Sequence, residues 1–166
     1  MEQGYIQLYT GNGKGKTTAA LGLAVRALGA GLKVYLGQFI KGMRYAEIEL
    51  LDTLSGTLGD GRIAVRQYGR GCFIFREPEA ADFQAAERGV AEARETLLSG
   101  AFDLVILDEI LVAMKLGLVR EQDILALMDD KPSGVELVLT GRGASDALMA
   151  SADLVTEMRE IKHYYN

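Results

Sequence analysis

Two clusters of residues in this 166-residue chain have types and spacings that could do chemistry. The first is Gly11-Asn12-Gly13-Lys14-Gly15-Lys16-Thr17-Thr18. Three glycines let the backbone curl so that successive N–H groups converge, and a helix N-terminus behind them adds partial positive charge. A lysine closing such a loop reaches the terminal phosphates of a nucleotide, and the hydroxyl after it can ligate Mg2+. Lys16 and Thr17 are expected in these roles, with Gly11 to Thr18 around the phosphates. The second cluster is Asp108-Glu109, which closes the apolar run Leu104-Val105-Ile106-Leu107. A Mg2+ ion on a triphosphate needs a carboxylate partner, so Asp108 is expected beside Thr17 as a metal residue and beside Lys16 as a catalytic one. Glu109 is either a further acid of that catalytic set or a charge at a helix N-terminus.

The elements that must carry these residues are legible. Residues 5–10 read as a strand and residues 19–28 as an apolar run too long for one, so strand, glycine turn and helix follow in the order a phosphate-binding loop requires. The common pattern G-x-x-x-x-G-K-[ST] asks for glycine at position 10, where the chain has Thr10, so the turn starts differently. A strand over 33–40 ends at Gln38 and Lys41, both expected at the nucleotide edge, Lys41 being either a ligand or a solvated lysine. Residues 46–54 read as a short helix, 55–61 as a turn-rich loop and 63–68 as a third strand. Pro78 opens a long helix with Phe83, Ala86, Val90, Ala93 and Leu97 inward and Glu87, Arg88, Glu92 and Glu95 in solvent. After the strand at 104–108, helices over 110–116 and 120–129 lead to a strand at 135–140, a short helix at 146–151 and a last strand at 154–158. Arg142, between Gly141 and Gly143, follows a buried strand at the same edge and is either a phosphate clamp or a surface turn residue. Alternating strands and helices imply an α/β fold of P-loop NTPase (RecA-like) type. Its mostly parallel sheet would have about six strands with helices on both faces, ligands binding at the carboxyl edge.

Bulk properties narrow the classes. Residues 1–166 suffice for one domain with a proper core, and 49% hydrophobic with 25% charged residues is ordinary for a globular chain. A net charge of −5 argues against a nucleic-acid binder. The one cysteine, Cys72, cannot form an internal disulfide. With no signal pattern and no apolar run near the ~18 residues of a membrane helix, a cytoplasmic protein without a membrane partner is expected. The catalytic inventory is thin: a single histidine, His163, and no nucleophile–base pair. Whatever the reaction, the protein mostly positions its reactants.

The loop TGNGKGKTTAALGLA, with GQFIKG at 37–42, DLVILDEI at 103–110, LTGRGA at 139–144 and ADLVTEMREIKH at 152–163, resembles the P-loop ATP:cob(I)alamin (corrinoid) adenosyltransferases, of the cob(I)yrinic acid a,c-diamide type. The resemblance covers nearly the whole chain in order, and it accounts for the missing glycine, because this family's loop begins at the Gly-Asn-Gly. It implies transfer of the 5′-deoxyadenosyl group of ATP to the Co(I) of a corrinoid with release of triphosphate, in adenosylcobalamin biosynthesis or salvage. It further implies a nucleotide lying in an unusual direction along the loop, a Mg2+ ion, a homodimer and a reductase such as a flavoprotein that supplies the electron. Family members carry an aromatic pair that displaces the lower cobalt ligand; here the matching residues are Phe73 and Phe75, with Ile74 and Phe75 departing from the usual Thr and Trp. Two aromatics at that spacing are otherwise core residues. Relatives run on past the Lys-His segment, whereas this chain stops at Asn166. The competing readings are a small-molecule kinase or NTPase, which would yield ADP, and a non-catalytic ATP-binding regulator, which would bind without turnover.

Overall fold

A computed structural model describes residues 2–59, 61–71 and 77–164. Six strands form one sheet in the order β3-β2-β4-β5-β1-β6: β1 (Ile6–Thr10), β2 (Val34–Lys41), β3 (Ile63–Gly71), β4 (Leu104–Asp108), β5 (Glu136–Thr140) and β6 (Leu154–Glu157). All five pairings are parallel, so the expected mostly parallel sheet is parallel throughout. Parallel strands buried on both faces need continuous apolar runs. β4 obeys this strictly, with all five residues buried.

Side chains alternate between two cores. Val34, Leu36, Leu104, Ile106 and Val138 pack on one face with α1 (Lys16–Gly29) and α2 (Ala46–Leu58). Tyr35, Phe39, Val105, Leu107, Leu137 and Leu139 pack on the other, with α3 (Ala80–Leu98), α4 (Ile110–Lys115), α5 (Glu121–Asp130) and α6 (Asp146–Ser151). Because all strands run the same way, their carboxyl ends, and the loops that leave them, share one edge of the sheet.

Three expectations are corrected. The loop expected at 55–61 is helical as far as Leu58, because Ile48 and Leu51 bury α2 against the sheet and carry Ser55 and Gly56 along. On α3, Ala86, Ala93 and Leu97 are buried as expected, but Phe83 is 40% exposed, and Asp82, Ala85 and Gly89 complete the inner face. Glu92 is not in bulk solvent: the Tyr68 hydroxyl donates to it at 2.6 Å, and Tyr68 in turn meets the Tyr35 hydroxyl at 2.5 Å. No helix among the described residues is long and apolar enough to cross a membrane.

Candidate active site

The phosphate loop leaves β1 and enters α1, and its first bend explains the sequence anomaly. Thr10 is the buried last residue of β1; its carbonyl accepts the Met158 N–H at 2.8 Å and its hydroxyl accepts the Ala144 N–H at 3.3 Å. The left-handed step falls one residue later, on Gly11 at φ 97°. At the far end Gly15 precedes α1 with φ 119°, and no side chain caps the helix. The uncapped N–H groups of the first turn remain available to an anion. Lys16 folds back over the loop, its Nζ donating to the carbonyls of Gly11 and Gly13 at 2.7 Å each. Burial lowers its pKa, which the carboxylates of Glu109 and Asp108 partly offset and Arg142 reinforces.

Asp108 is the centre of the site. Its register places it beside Gln38 of β2, with Thr140 of β5 one step beyond the Leu107–Leu139 pair and Gln67 of β3 beside Gln38. These four residues form a polar row on the α1 side of the sheet. The carboxylate is wholly buried. Its Oδ1 accepts from the hydroxyls of Thr17 (2.8 Å) and Thr140 (2.7 Å), and its Oδ2 accepts from Lys41 Nζ (2.8 Å) and Gln38 Nε2 (3.2 Å). Gln38 was expected among the cofactor-binding residues, but it is fully buried, and its carbonyl takes a 3.1 Å bond from Gln67. It reaches the site through Asp108, which it orients.

Lys41 arrives by a backbone irregularity. Alternation along β2 sends residues 34, 36 and 38 to the α1 face and would send Lys41 to the opposite one. Instead, the pairing with β3 shifts between Phe39 and Lys41, Ile40 takes φ 67°, and Ile40 joins the same core as Phe39. The slip turns Lys41 onto the Asp108 face. A β-branched residue in the left-handed region costs ~1–3 kcal/mol, a strain typical of functional sites. Among the described residues Glu109, at φ 60°, is the other non-glycine residue with positive φ. Both line a cavity of about 230 Å³, together with Lys41, Val112 and Arg142.

Glu109 precedes α4, and its N–H donates to Thr140 Oγ1 at 3.0 Å. Burial raises its pKa, the adjacent Asp108 charge adds to this, and Lys41, Lys16 and Arg142 oppose it. A second cavity of about 340 Å³ is lined by loop residues 12–18, Glu109, Arg142, Glu160 and His163. The structure thus brings Asn12, Gly13, Lys14, Gly15, Lys16, Thr17, Thr18, Glu109 and Arg142 to one cavity, with Asp108 and Lys41 at its base through Thr17. Gly11 lines a separate cavity, where residues 10–12 face Gly143 and Ala144 beyond β5 and Val155 and Glu157 of β6. Phe73 and Phe75, with Cys72, lie outside the described residues.

Sequence reasoning missed the segment that follows β6. The Met158 carbonyl accepts the Gly13 N–H at 2.7 Å, so this strap grips the loop from outside. A Cβ on Gly13 would lie 2.7 Å from the Arg159 carbonyl carbon and 2.8 Å from the Met158 oxygen; on Gly11 it would lie 2.4 Å from that oxygen. The strap then carries Glu160 and His163 to the cavity wall. The available signal was ADLVTEMREIKH itself, a segment matched to the family without an assigned task. Thr140 was also missed, although it directly precedes the Gly141-Arg142 turn.

Chemically, the arrangement offers converging N–H groups, three cations (Lys14, Lys16 and Arg142) and a carboxylate–hydroxyl pair to a polyphosphate. Among the described residues no group of three or more His, Cys, Asp or Glu could hold a metal unaided. The Asp108–Thr17 pair nevertheless suits a Mg2+ ion that arrives on a nucleotide, since both are hard oxygen donors and such an ion needs only one or two from the protein.

Residues 2–166 match the model of the family described as ATP:corrinoid adenosyltransferase BtuR/CobO/CobP. The corrinoid adenosyltransferase of Pseudomonas aeruginosa is 34% identical over 164 residues, covering 99% of this chain and 79% of that protein. The one from Sinorhizobium sp is 36% identical over 171 residues (98% and 75%), and that of Escherichia coli strain K12 is 31% identical over 166 (99% and 81%). Among solved structures, a KaiC-like protein of Pyrococcus horikoshii superposes with a TM-score of 0.61 at 18% identity, covering 98% of this chain and 76% of its own. That likeness bears on the fold alone, which is α/β of the P-loop NTPase (RecA-like) type. The family match and the relatives run along nearly the whole chain, taking in the loop, the acidic strand end and the strap alike: the chain belongs to the ATP:corrinoid adenosyltransferase family of transferases.

Proposed function

We propose that this protein transfers the 5′-deoxyadenosyl group of ATP to the Co(I) of a corrinoid, releasing intact triphosphate. The observation that carries the reading is the site's composition. Around Lys16, Thr17 and Asp108 it forms a polyphosphate cradle whose side chains bind, orient and neutralise charge. Co(I) supplies the nucleophile itself. Its electron pair forms the cobalt–carbon bond at the ribose C5′, the C5′–O bond breaks, and the triphosphate leaves with that bonding pair. No proton moves, so no protein base is needed.

The protein's part is placement and charge. Lys16, the loop N–H groups and the α1 N-terminus hold the triphosphate and stabilise charge growing on the leaving oxygen. Arg142, from the opposite wall, is a planar donor fork for a phosphate. Thr17 and Asp108 would hold the Mg2+ ion, which neutralises triphosphate charge. Gln38 and Thr140 keep the Asp108 carboxylate oriented. Fixing the ribose carbon in line with cobalt can supply ~7–11 kcal/mol of the barrier. Phe73 and Phe75 take the corrinoid's lower face, a role that rests on the family resemblance, as do a homodimer, a flavoprotein-type reductase for Co(II) and a cytoplasmic location.

The test mixes the protein anaerobically with MgATP and a chemically reduced corrinoid, following the corrin absorbance and the phosphorus products by NMR. A light-sensitive cobalt–carbon species with stoichiometric triphosphate is expected. ATP left unchanged, or cleaved to ADP with no change in the corrin spectrum, overturns the proposal.

A further inference from the structure

Lys41 stands where two cations would compete. Its ammonium lies 2.8 Å from Asp108 Oδ2 and 3.5 Å from Thr17 Oγ1, the same two side chains whose oxygens suit a divalent ion. The Asp108 carboxylate is wholly buried, and the ammonium beside it offsets part of the cost of burying that charge. Its remaining partners, two hydroxyls and the Gln38 amide, are neutral. An ammonium donating to Oδ2 and a metal ligated by that oxygen cannot share the space. The placement is also built: without the slip at Ile40, strand alternation would turn Lys41 to the other face of the sheet. Its side chain is 12% exposed and lines the cavity that also holds Glu109 and Arg142, which gives it somewhere to go.

We propose that Lys41 is a displaceable counter-ion, held on Asp108 by the strained turn at Ile40, which suppresses divalent-metal binding without nucleotide and swings to the triphosphate when the metal enters with ATP. The proposal deepens the function above and rests on its Mg2+ reading. Two consequences follow. The site discriminates against free divalent cations, which must displace a resident charge with no phosphate to receive it. Once released, Lys41 joins Lys16 and Arg142 on the leaving triphosphate, so metal entry also completes the charge that stabilises departure.

The test measures binding of Mn2+ alone to the nucleotide-free protein, by electron paramagnetic resonance, for wild type, Lys41→Met and Lys41→Gln. Lys41→Met is expected to bind Mn2+ about 10–100-fold more tightly than wild type, the range over which groups beside a metal ligand change affinity. Lys41→Gln, which keeps a hydrogen bond to Oδ2 but carries no charge, should move the same way by a smaller factor and serves where Lys41→Met fails to fold. Adding Asp108→Asn to either variant should cancel the gain. Mn2+ bound no more tightly by either single variant than by wild type overturns the role of Lys41. Wild-type triphosphate formation is scored separately, so a failed counter-ion and a failed transferase reading give different results.

Discussion

Asp108 separates shape from charge, and two substitutions there should part company. Asp108→Asn preserves the outline of a fully buried side chain with four partners. Lys41 can only donate, and Gln38 presents its NH2 because Gln67 holds its carbonyl, so the new amide must turn its oxygen to them and its NH2 to Thr17 and Thr140. Those hydroxyls can rotate to accept, although Thr140 already accepts from the Glu109 N–H. All four contacts survive as neutral or singly charged bonds, and the cost of burying a carboxylate disappears. We expect a net loss of at most ~2 kcal/mol, because the ~1 kcal/mol forfeited by each bond that is no longer charge-assisted is partly offset by the relieved desolvation of the carboxylate. For a chain of this size that is a fall in Tm of roughly 4–8 °C or less. Asp108→Ala removes the counter-charge as Asp108→Asn does, but it also leaves the Lys41 ammonium, the Gln38 NH2 and the two hydroxyls with no side chain to bond, and should cost ~3–5 kcal/mol. Function should rank differently. Both variants lack the metal's carboxylate, so both should lose adenosylation, even though Asp108→Asn stays folded. Urea unfolding and the anaerobic triphosphate assay give the two readouts. Full turnover by Asp108→Asn would refute the metal assignment, and equal stability of the two variants would refute the polar row as a structural device.

Three further outcomes are expected. Gly13→Ala places a methyl group against the backbone of residues 158 and 159; it should cost roughly 1–3 kcal/mol, raise the KM for ATP and speed hydrogen exchange at the Gly13 amide, whereas unchanged exchange would mean the strap does not hold the loop. Glu109 carries a raised folded-state pKa through burial and the nearby Asp108 charge, so the folded chain binds the extra proton between the unfolded and folded values. Stability of the nucleotide-free protein should therefore decline as pH rises through the folded pKa, and Glu109→Gln should flatten that slope; an identical slope in both proteins counts against it. Tyr68→Phe removes the hydroxyl that joins Tyr35 to Glu92 and should cost about 1–3 kcal/mol in urea unfolding without altering nucleotide binding, while a loss of binding alone would give this network a role in the site.

The sequence was most readable where one local rule acts. A short, β-branched apolar run such as Leu104 to Leu107 reads as a strand buried on both faces, and the shared direction of such strands delivers Asp108 and Arg142 to the edge that the loop occupies. It was least readable where distant backbone contacts decide. α2 runs through Ser55 and Gly56 because its inner face is buried on the sheet, which local propensity does not register. Lys41 belongs to the wrong face by strand parity, and only the slip at Ile40 corrects it. The strap has no apolar periodicity to announce it, because its principal contact is a peptide carbonyl placed on the Gly13 N–H.

That contact changes what the loop glycines mean. In a phosphate loop they are usually explained from the inside, by the close approach of a ligand. Here Gly11 and Gly13 are also fixed from the outside, where added Cβ atoms would strike the Met158–Arg159 backbone. One consequence concerns the N–H groups themselves: the Gly13 N–H is directed to the strap, so a polyphosphate must be gripped by the amides closer to α1 and by Lys16, whose Nζ holds the Gly11 and Gly13 carbonyls inward. The donor set is thereby shifted toward the helix, beside Thr17 and Asp108. Because the same strap brings Glu160 and His163 to the cavity, the loop's curvature and the far wall of the site are set by a single segment, and a change in one must be felt in the other.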